Sequence, residues 1–249
     1  MDKATPATLT EFKDAVSSSI ISIESNWALE FRTYRSQVKK KVNNNNNSST
    51  NKEEEQNESD RNNVLYSLAF PQRKKNVLIK NKIAIVTTTS LDVDNENTNP
   101  NTNSVRRLID SCSSAWYPET IDNIISNKLS NMWIQRQLIK GDAGESFITQ
   151  DGLLIKCCNL FSSFGFKGLL IELKEAPPAN NAHTATIDDN SHFTICVKTI
   201  LDILKTIGIK TYKMSNDTLN EDAMSPTGSN IDENIELCNL AYQYVNVLD

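Results

Sequence analysis

The sequence predicts an α+β protein, an antiparallel β-barrel of about eight strands with flanking helices and two long disordered Asn-rich loops. Short runs of β-branched and aromatic residues follow one another with connections of hairpin length. The long helical crossovers that join parallel strands are missing. A sheet of eight strands is large enough to curl into a barrel. We therefore expect one barrel domain over residues 1–249, with low-complexity insertions at 42–62 and 92–104.

The N-terminal half is predicted to begin with a helix and to continue with strands. Four apolar residues recur at helical spacing and define the first helix: Leu9, Phe12, Val16 and Ile20. Strands are expected where β-branched and aromatic residues dominate, at 27–35, 64–70, 76–80 and 83–89. The last three of these runs are separated only by turns, which is typical of a meander.

The C-terminal half repeats this mixture of elements. Pro118 and Glu119 open a short helix. Four strand-like runs follow, at 132–140, 145–149, 153–161 and 166–174. An apolar helix begins at Ser191 and ends before Gly208. The last helix spans about Ile231 to Leu248 and has two apolar stripes, the pattern of a helix wedged between two surfaces.

Two segments have the composition of disordered loops. Residues 42–60 and 92–104 are rich in Asn and acidic residues and contain almost nothing apolar to bury. They carry net charges of −4 and −3, and because the whole chain carries −5, the remainder is near +2. A nearly neutral folded part does not suggest direct sequence-specific binding to DNA.

Cysteine usage and hydropathy indicate a soluble protein of a reducing compartment. The five cysteines are odd in number and none stands in a CxxC pair, which fits unpaired thiols better than a disulfide framework. No apolar run approaches the roughly 20 residues that span a bilayer, so we expect no membrane contact.

The stretch LSNMWIQRQLIKGDAGESF, residues 129–147, concentrates charged and polar residues around two glycines. A phosphate-binding loop would need Lys and Ser or Thr directly after its last glycine. Here Asp142 and Glu145 place negative charge beside the loop instead, and they would repel a phosphate. We therefore expect a hairpin turn in which Gly141 and Gly144 permit positive φ angles.

Catalytic chemistry is not predicted for any residue. His183 and His192 have no nucleophile at motif spacing, and no cluster of metal ligands surrounds either of them. The adjacent Cys157 and Cys158 would point to opposite faces of a strand and so would not share a metal. The sequence predicts no enzyme, no cofactor, no metal and no small-molecule substrate.

Two predicted strands are polar on both faces, which a simple half-buried strand is not. The residues concerned are candidate partner contacts: Arg32, Arg35, Trp133, Gln135, Arg136 and Gln137. One interpretation is a surface that meets another protein, because Arg and aromatic residues are favoured anchors there. The other is a barrel interior with hydrogen-bonded Arg and Gln, or a merely exposed edge. The sequence leaves both open.

Five blocks carry a resemblance to a known family: residues 4–12, 31–35, 128–145, 159–173 and 240–245. These blocks resemble the fungal Mediator subunit 20 family, and they appear along the chain in the order that the family has. The resemblance implies a nuclear, non-enzymatic component of the Mediator head module, which links regulators to RNA polymerase II. It also implies a barrel with flanking helices, a heterodimer with Mediator subunit 18 and a tethering helix from subunit 8. TATA-binding protein and RNA polymerase II are implied as partners through the complex.

An alternative function and one departure from the family bear on these expectations. The family's barrel is distantly similar to the tunnel of fungal RNA triphosphatases, in which Glu-x-Glu pairs hold a metal. A metal-dependent phosphohydrolase is therefore the alternative function, but the clearest such pair, in Glu53–Glu55, falls within a predicted loop. The resemblance also implies a short apolar strand before residue 4, where this chain has only Met1–Lys3. We expect a barrel without its first strand, or a truncated gene model.

Overall fold

The computed structural model describes residues 3–37, 63–88, 120–176, 189–219, 224–225 and 231–249. The insertions predicted at 42–62 and 92–104 lie outside these residues, as does most of the loop before the third helix. The described helices are α1 (Thr8–Val16), α2 (Ile121–Asn123), which continues as a π-helix over Ile124–Lys128, α3 (Asp189–Thr206) and α4 (Ile231–Leu248).

In the described residues, nine strands form one mostly antiparallel sheet. Their bounds are β1 (Ile20–Ile23), β2 (Trp27–Ser36), β3 (Val64–Phe70), β4 (Lys75–Lys80), β5 (Ile83–Thr88), β6 (Trp133–Thr149), β7 (Leu153–Ser162), β8 (Gly165–Glu175) and the two-residue β9 (Met224–Ser225). The strand order is β8-β7-β6-β2-β3-β4-β5-β9, and β1 pairs with β6. This order confirms the α+β class and the antiparallel sheet.

The sheet is not closed into a barrel, which corrects the sequence prediction. A barrel requires hydrogen bonds between the first and last strands of the order. In the described part of the chain, β8 pairs only with β7, and the other end of the order is a short parallel pair between β5 and β9. Strand number permits closure but does not impose it.

The chain divides into two compact units. The first comprises Met1–Leu29 and Ile139–Lys213, and the second comprises Glu30–Leu138 and Met214–Asp249. The long strands β2 and β6 each contribute residues to both units. The expectation of a single domain over residues 1–249 stays a prediction.

The first unit is built around an apolar cluster between two helices and the sheet. Its buried members are Phe12, Val16, Phe147, Leu153, Ile155, Cys157, Cys196, Ile200, Leu204 and Ile209. They come from α1, β6, β7, α3 and the residues after α3. Each large side chain of this kind contributes roughly 1.5–3 kcal/mol through burial, so the cluster is the main source of this unit's stability.

The first helix is shorter than its apolar spacing predicts. Helix α1 ends at Val16, and Ile20–Ile23 forms strand β1 instead of a further helical turn. The β-branched isoleucines of this run favour an extended backbone. In that conformation Ile20 pairs with Thr149, and Ile23 pairs with Phe147 of β6. Tertiary pairing with β6 therefore overrides the helical periodicity.

The second unit is a meander covered by the last helix. Strands β3, β4 and β5 pair antiparallel, and Asn81 and Lys82 both adopt positive φ angles (52° and 63°) in the turn between β4 and β5. Helix α4 has the predicted bounds, and its Leu237 and Ala241 are fully buried. The ring of Tyr244 stacks on Phe70 at 6.2 Å between centroids.

Gly141 and Gly144 do not form the predicted hairpin turn. Strand β6 runs without interruption through both, and its pairing with β7 shifts by one residue between Lys140 and Glu145, which is a β-bulge. Neither glycine has a positive φ, whereas the intervening Ala143 does (53°). The hairpin prediction was wrong because a bulge and a turn share the same glycine-rich composition.

The two glycines instead allow close packing inside the first unit. A Cβ atom on Gly141 would lie 2.6 Å from the Cys158 sulfur. One on Gly144 would lie 2.7 Å from Trp27 ring atoms and 2.8 Å from the Trp27 carbonyl oxygen. Real Cβ atoms essentially never approach other atoms so closely. The bulge therefore brings β6 against Trp27 and Cys158 at a distance that only glycine permits.

Candidate protein interface

The six predicted contact residues occupy two strand segments of the second unit. Arg32 and Arg35 lie in β2, and the other four lie between Trp133 and Gln137 at the start of β6. The Gln37 amide donates a hydrogen bond to the Met132 carbonyl oxygen (2.8 Å), so the end of β2 lies beside the start of β6. The structure thus brings the two segments together, but it gives their side chains different roles.

Arg32 belongs to a network centred on Asp122 of the short helix α2. Its Nη1 donates to Asp122 Oδ2 at 2.8 Å, and its Nη2 contacts Glu30. The Tyr34 hydroxyl donates to Asp122 Oδ1 at 2.9 Å, and Asn76 Nδ2 donates to Oδ2 at 3.2 Å. This carboxylate therefore links α2 to strands β2 and β4, and Arg32 takes the internal role that the sequence left open.

Burial gives this network a low-dielectric setting. Tyr34 is fully buried, and the Asp122 and Arg32 side chains are only 9% and 18% exposed. Burial, and after it the negative charge of Asp122, raises the pKa of Tyr34 far above its usual range. The hydroxyl therefore stays protonated and acts as a donor to Asp122 at any physiological pH.

Trp133 is half-buried and supports the same helix. It packs against an apolar cluster of three buried residues, Tyr34, Leu65 and Ile125. The Lys80 ammonium lies 5.9 Å from the centre of its ring, within the range of a cation–π contact. Part of this indole therefore stabilises the second unit itself.

The remaining β6 residues form an exposed strip. Gln135 and Arg136 are exposed and Gln137 is half-buried, as is typical of a strand at the surface. Sequence reasoning missed two apolar neighbours, Met132 and Ile134, which are 42% and 39% exposed. Their signal is visible in the order MWIQRQ, where three apolar residues directly precede three polar ones and no acidic residue lies nearby. Arg35 of β2 is also exposed.

A metal site is not assembled in the described residues. No group of three or more His, Cys, Asp or Glu side chains there is arranged to hold a metal ion. Burial raises the pKa of both Cys157 and Cys158 to about 12, with the carboxylate of Glu145 adding to the effect at Cys157. These thiols are therefore poor nucleophiles. His183 and Glu53–Glu55 lie outside the described residues.

No helix in the described part of the chain combines the length and the hydropathy that crossing a membrane requires.

Comparisons with known proteins give one consistent family. A family model described as the TATA-binding related factor (TRF) of subunit 20 of Mediator complex matches residues 1–249. The chain is 39% identical to Mediator of RNA polymerase II transcription subunit 20 of Saccharomyces cerevisiae, over 250 residues that cover all of this chain and 96% of the relative. The subunits 20 of Eremothecium gossypii and Candida glabrata are 36% and 35% identical, again over all of this chain and 96% and 97% of the relatives.

Proposed function

Because the chain belongs to the Mediator subunit 20 family, we propose that it is a non-enzymatic structural subunit of the Mediator head module. Membership of the family places it in the Mediator complex and in the regulation of transcription. The family match over all 249 residues is the observation that carries the proposal. In this role the chain pairs with Mediator subunit 18 and supports assembly of the RNA polymerase II initiation complex in the nucleus.

The remaining partners follow from the same assignment. A helix of subunit 8 tethers the pair to the rest of the head module, and TATA-binding protein and RNA polymerase II are reached through the complex. The chain needs no cofactor for this work, because its contribution is a folded surface. The surface proposed here, the β6 strip, consists of Met132, Ile134, Gln135, Arg136 and Gln137.

The β6 strip has the composition of a protein contact. Its two exposed apolar residues supply area to bury, and Arg136 supplies a planar group with several donors. The strip stands on a strand whose neighbour β2 is fixed by the Asp122 network, so its backbone would need little ordering on binding.

Co-expression with subunit 18, followed by size-exclusion chromatography with light scattering, tests the pairing. We expect one species with the mass of a 1:1 heterodimer. Two separate peaks at micromolar concentration and mild salt would contradict the proposal.

The contribution of the strip is measured with a variant pair. Replacing Gln135 and Arg136 together by Ala is expected to weaken the affinity for subunit 18 by about 1–2 kcal/mol, as for truncation of moderate interface anchors. The control, Lys82→Ala, changes an exposed residue in the turn between β4 and β5 and should leave the affinity unchanged. Equal affinities for both variants would remove the strip from the interface.

A further inference from the structure

Strand β6 extends beyond the strand that pairs with it. Its pairing with β7 begins where Ile139 faces Ser162 and continues to Ile148 and Leu154. Strand β7 ends at Ser162, so no described strand lies on that side of Trp133–Leu138. The first third of β6 therefore presents one backbone edge that the described part of the chain leaves open.

The direction of the backbone groups follows from the alternation along a strand. The N–H and C=O of one residue point to the same side, and successive residues alternate. The Met132 carbonyl oxygen accepts from Gln37 on the β2 side. The backbone groups of Gln135 and Gln137 therefore point to the opposite side, the one on which Ile139 meets β7. The Trp133 amide already donates to the Leu129 carbonyl oxygen (2.9 Å), so this amide at the N-terminal end of β6 is not open to a partner.

The side chains beside this edge indicate what would bind there. Met132 and Ile134 offer apolar surface, and exposed Arg136 forms no ion pair with a described residue. The stretch from Asn123 to Gly141 contains three basic residues and no acidic one. Met132, Ile134 and Arg136 are spaced two residues apart and therefore share one face of the strand. This edge is complementary to an extended segment that places apolar residues and a carboxylate on the same face.

We propose that Trp133–Leu138 binds an extended segment of a partner polypeptide, which adds a strand to β6 and places its carboxylates near Arg136. The segment accepts from and donates to the backbone of Gln135 and Gln137, and it packs apolar side chains on Met132 or Ile134. The assignment of the partner to the Mediator complex rests on the proposed function. The mode of binding rests on the geometry of β6 alone. A nucleic acid would not satisfy this edge, because it lacks alternating amide donors and acceptors at strand spacing.

Hydrogen exchange is the first test, on the full chain alone and within purified Mediator. The amides of Gln135 and Gln137 should exchange rapidly in the free chain. In the complex their exchange should be slower by at least about tenfold, because a new backbone hydrogen bond must open first. Unchanged exchange in a complex that forms would overturn the proposal. Slow exchange already in the dilute free chain would also overturn it, because another segment of the same chain then covers the edge.

A photo-crosslinking residue in place of Gln135 identifies the occupant in purified Mediator. The expected product joins this chain to an acidic, apolar segment of another subunit. A product with subunit 18 supports both proposals, whereas a product with a different Mediator subunit retains the strand addition and shows that this edge is not the contact with subunit 18. Products within the same chain, with a second copy, or no product at all would overturn the strand addition.

A charge-reversal pair completes the test. Arg136→Glu should weaken the affinity of this chain for its partner about tenfold and should flatten the dependence of that affinity on salt. The reason is that the native Arg136 charge faces carboxylates of the partner. Lys82→Glu reverses the same charge at an exposed turn outside the edge and should leave both quantities unchanged. Equal effects of the two variants would show that only net charge matters and would overturn the assignment of carboxylates to this edge.

Discussion

Asp122 links the short helix α2 to two strands through side-chain hydrogen bonds. It accepts from Arg32, Tyr34 and Asn76, three donors on two strands, although α2 itself is a very short helix. A buried carboxylate is costly unless it is paired and hydrogen-bonded. Here both conditions are met, so the network fixes the position of α2 and of the apolar residues that follow it.

Asp122→Asn should therefore destabilise the protein. The amide removes the charge opposite Arg32 and replaces one acceptor by a donor, so we expect a loss of about 2–3 kcal/mol in the free energy of unfolding. Tyr34→Phe removes a single hydrogen bond and should cost about 1 kcal/mol. Urea denaturation of the three proteins measures both values. A stability of Asp122→Asn equal to that of the unchanged chain would refute the network's role.

The buried thiols give a pH-dependent prediction. Burial raises the pKa of Cys157 and Cys158 to about 12, so the thiolate fraction at pH 8 is roughly a thousandfold lower than for an ordinary cysteine. Alkylation followed by peptide mass mapping should modify both residues only in the denatured chain. Rapid labelling of either residue in the folded chain at pH 8 would contradict this burial.

The same shift sets the sign of the stability change at high pH. The fold favours the protonated thiols, so their contribution to the free energy of unfolding is fully present below the ordinary cysteine pKa of about 8.5. It is lost as the pH rises towards the folded pKa of about 12, because the unfolded chain releases these protons first. Replacing both residues by Ala should reduce this part of the alkaline loss.

At the scale of elements, the β6 bulge shows why glycine is required at two places. Gly141 lies against Cys158, and Gly144 lies against Trp27, whose indole nitrogen donates to the Glu145 carbonyl oxygen (3.1 Å). Lys13 Nζ lies 2.7 Å from the Glu145 carboxylate, and this ion pair links α1 to the same strand. Close backbone approach, rather than chain reversal, accounts for these glycines.

Gly144→Ala should destabilise the first unit by about 1–3 kcal/mol, the usual cost of forcing extra volume into a packed site. Gly168→Ala is the matched control, because a Cβ at that position of β8 meets no atom within 4 Å. Thermal unfolding followed by circular dichroism compares the two variants. Equal melting temperatures would mean that Trp27 yields freely and that close packing is not why glycine is needed at 144.

Much of the element order follows from the sequence, and the exceptions have physical causes. The bounds of β3 and α4 agree with prediction because apolar residues recur along the whole of each element. The continuity of β6 was missed because glycines at 141 and 144 signal a turn as well as a bulge. The role of Arg32 depended on Asp122, which is 90 residues away in the chain and carries no local signal.

For the whole molecule, the proposed function depends on surfaces rather than on a reactive centre. The match to the subunit 20 family extends over the entire chain, and the β6 strip supplies an exposed segment suited to another polypeptide. The Asp122 network includes Arg32 and Tyr34 of β2, the strand next to β6. Stability and partner binding should therefore respond to different substitutions, with Asp122 affecting the first and Arg136 the second.

Affinity purification of the tagged chain from nuclear extract, followed by quantitative mass spectrometry, tests the central claim most directly. We expect Mediator subunits, with subunits 18 and 8 among them, in near-stoichiometric amounts at mild salt. The Lys82→Ala chain should recover the same set. Recovery of the chain without Mediator subunits, from an extract in which the complex itself is intact, would contradict the account.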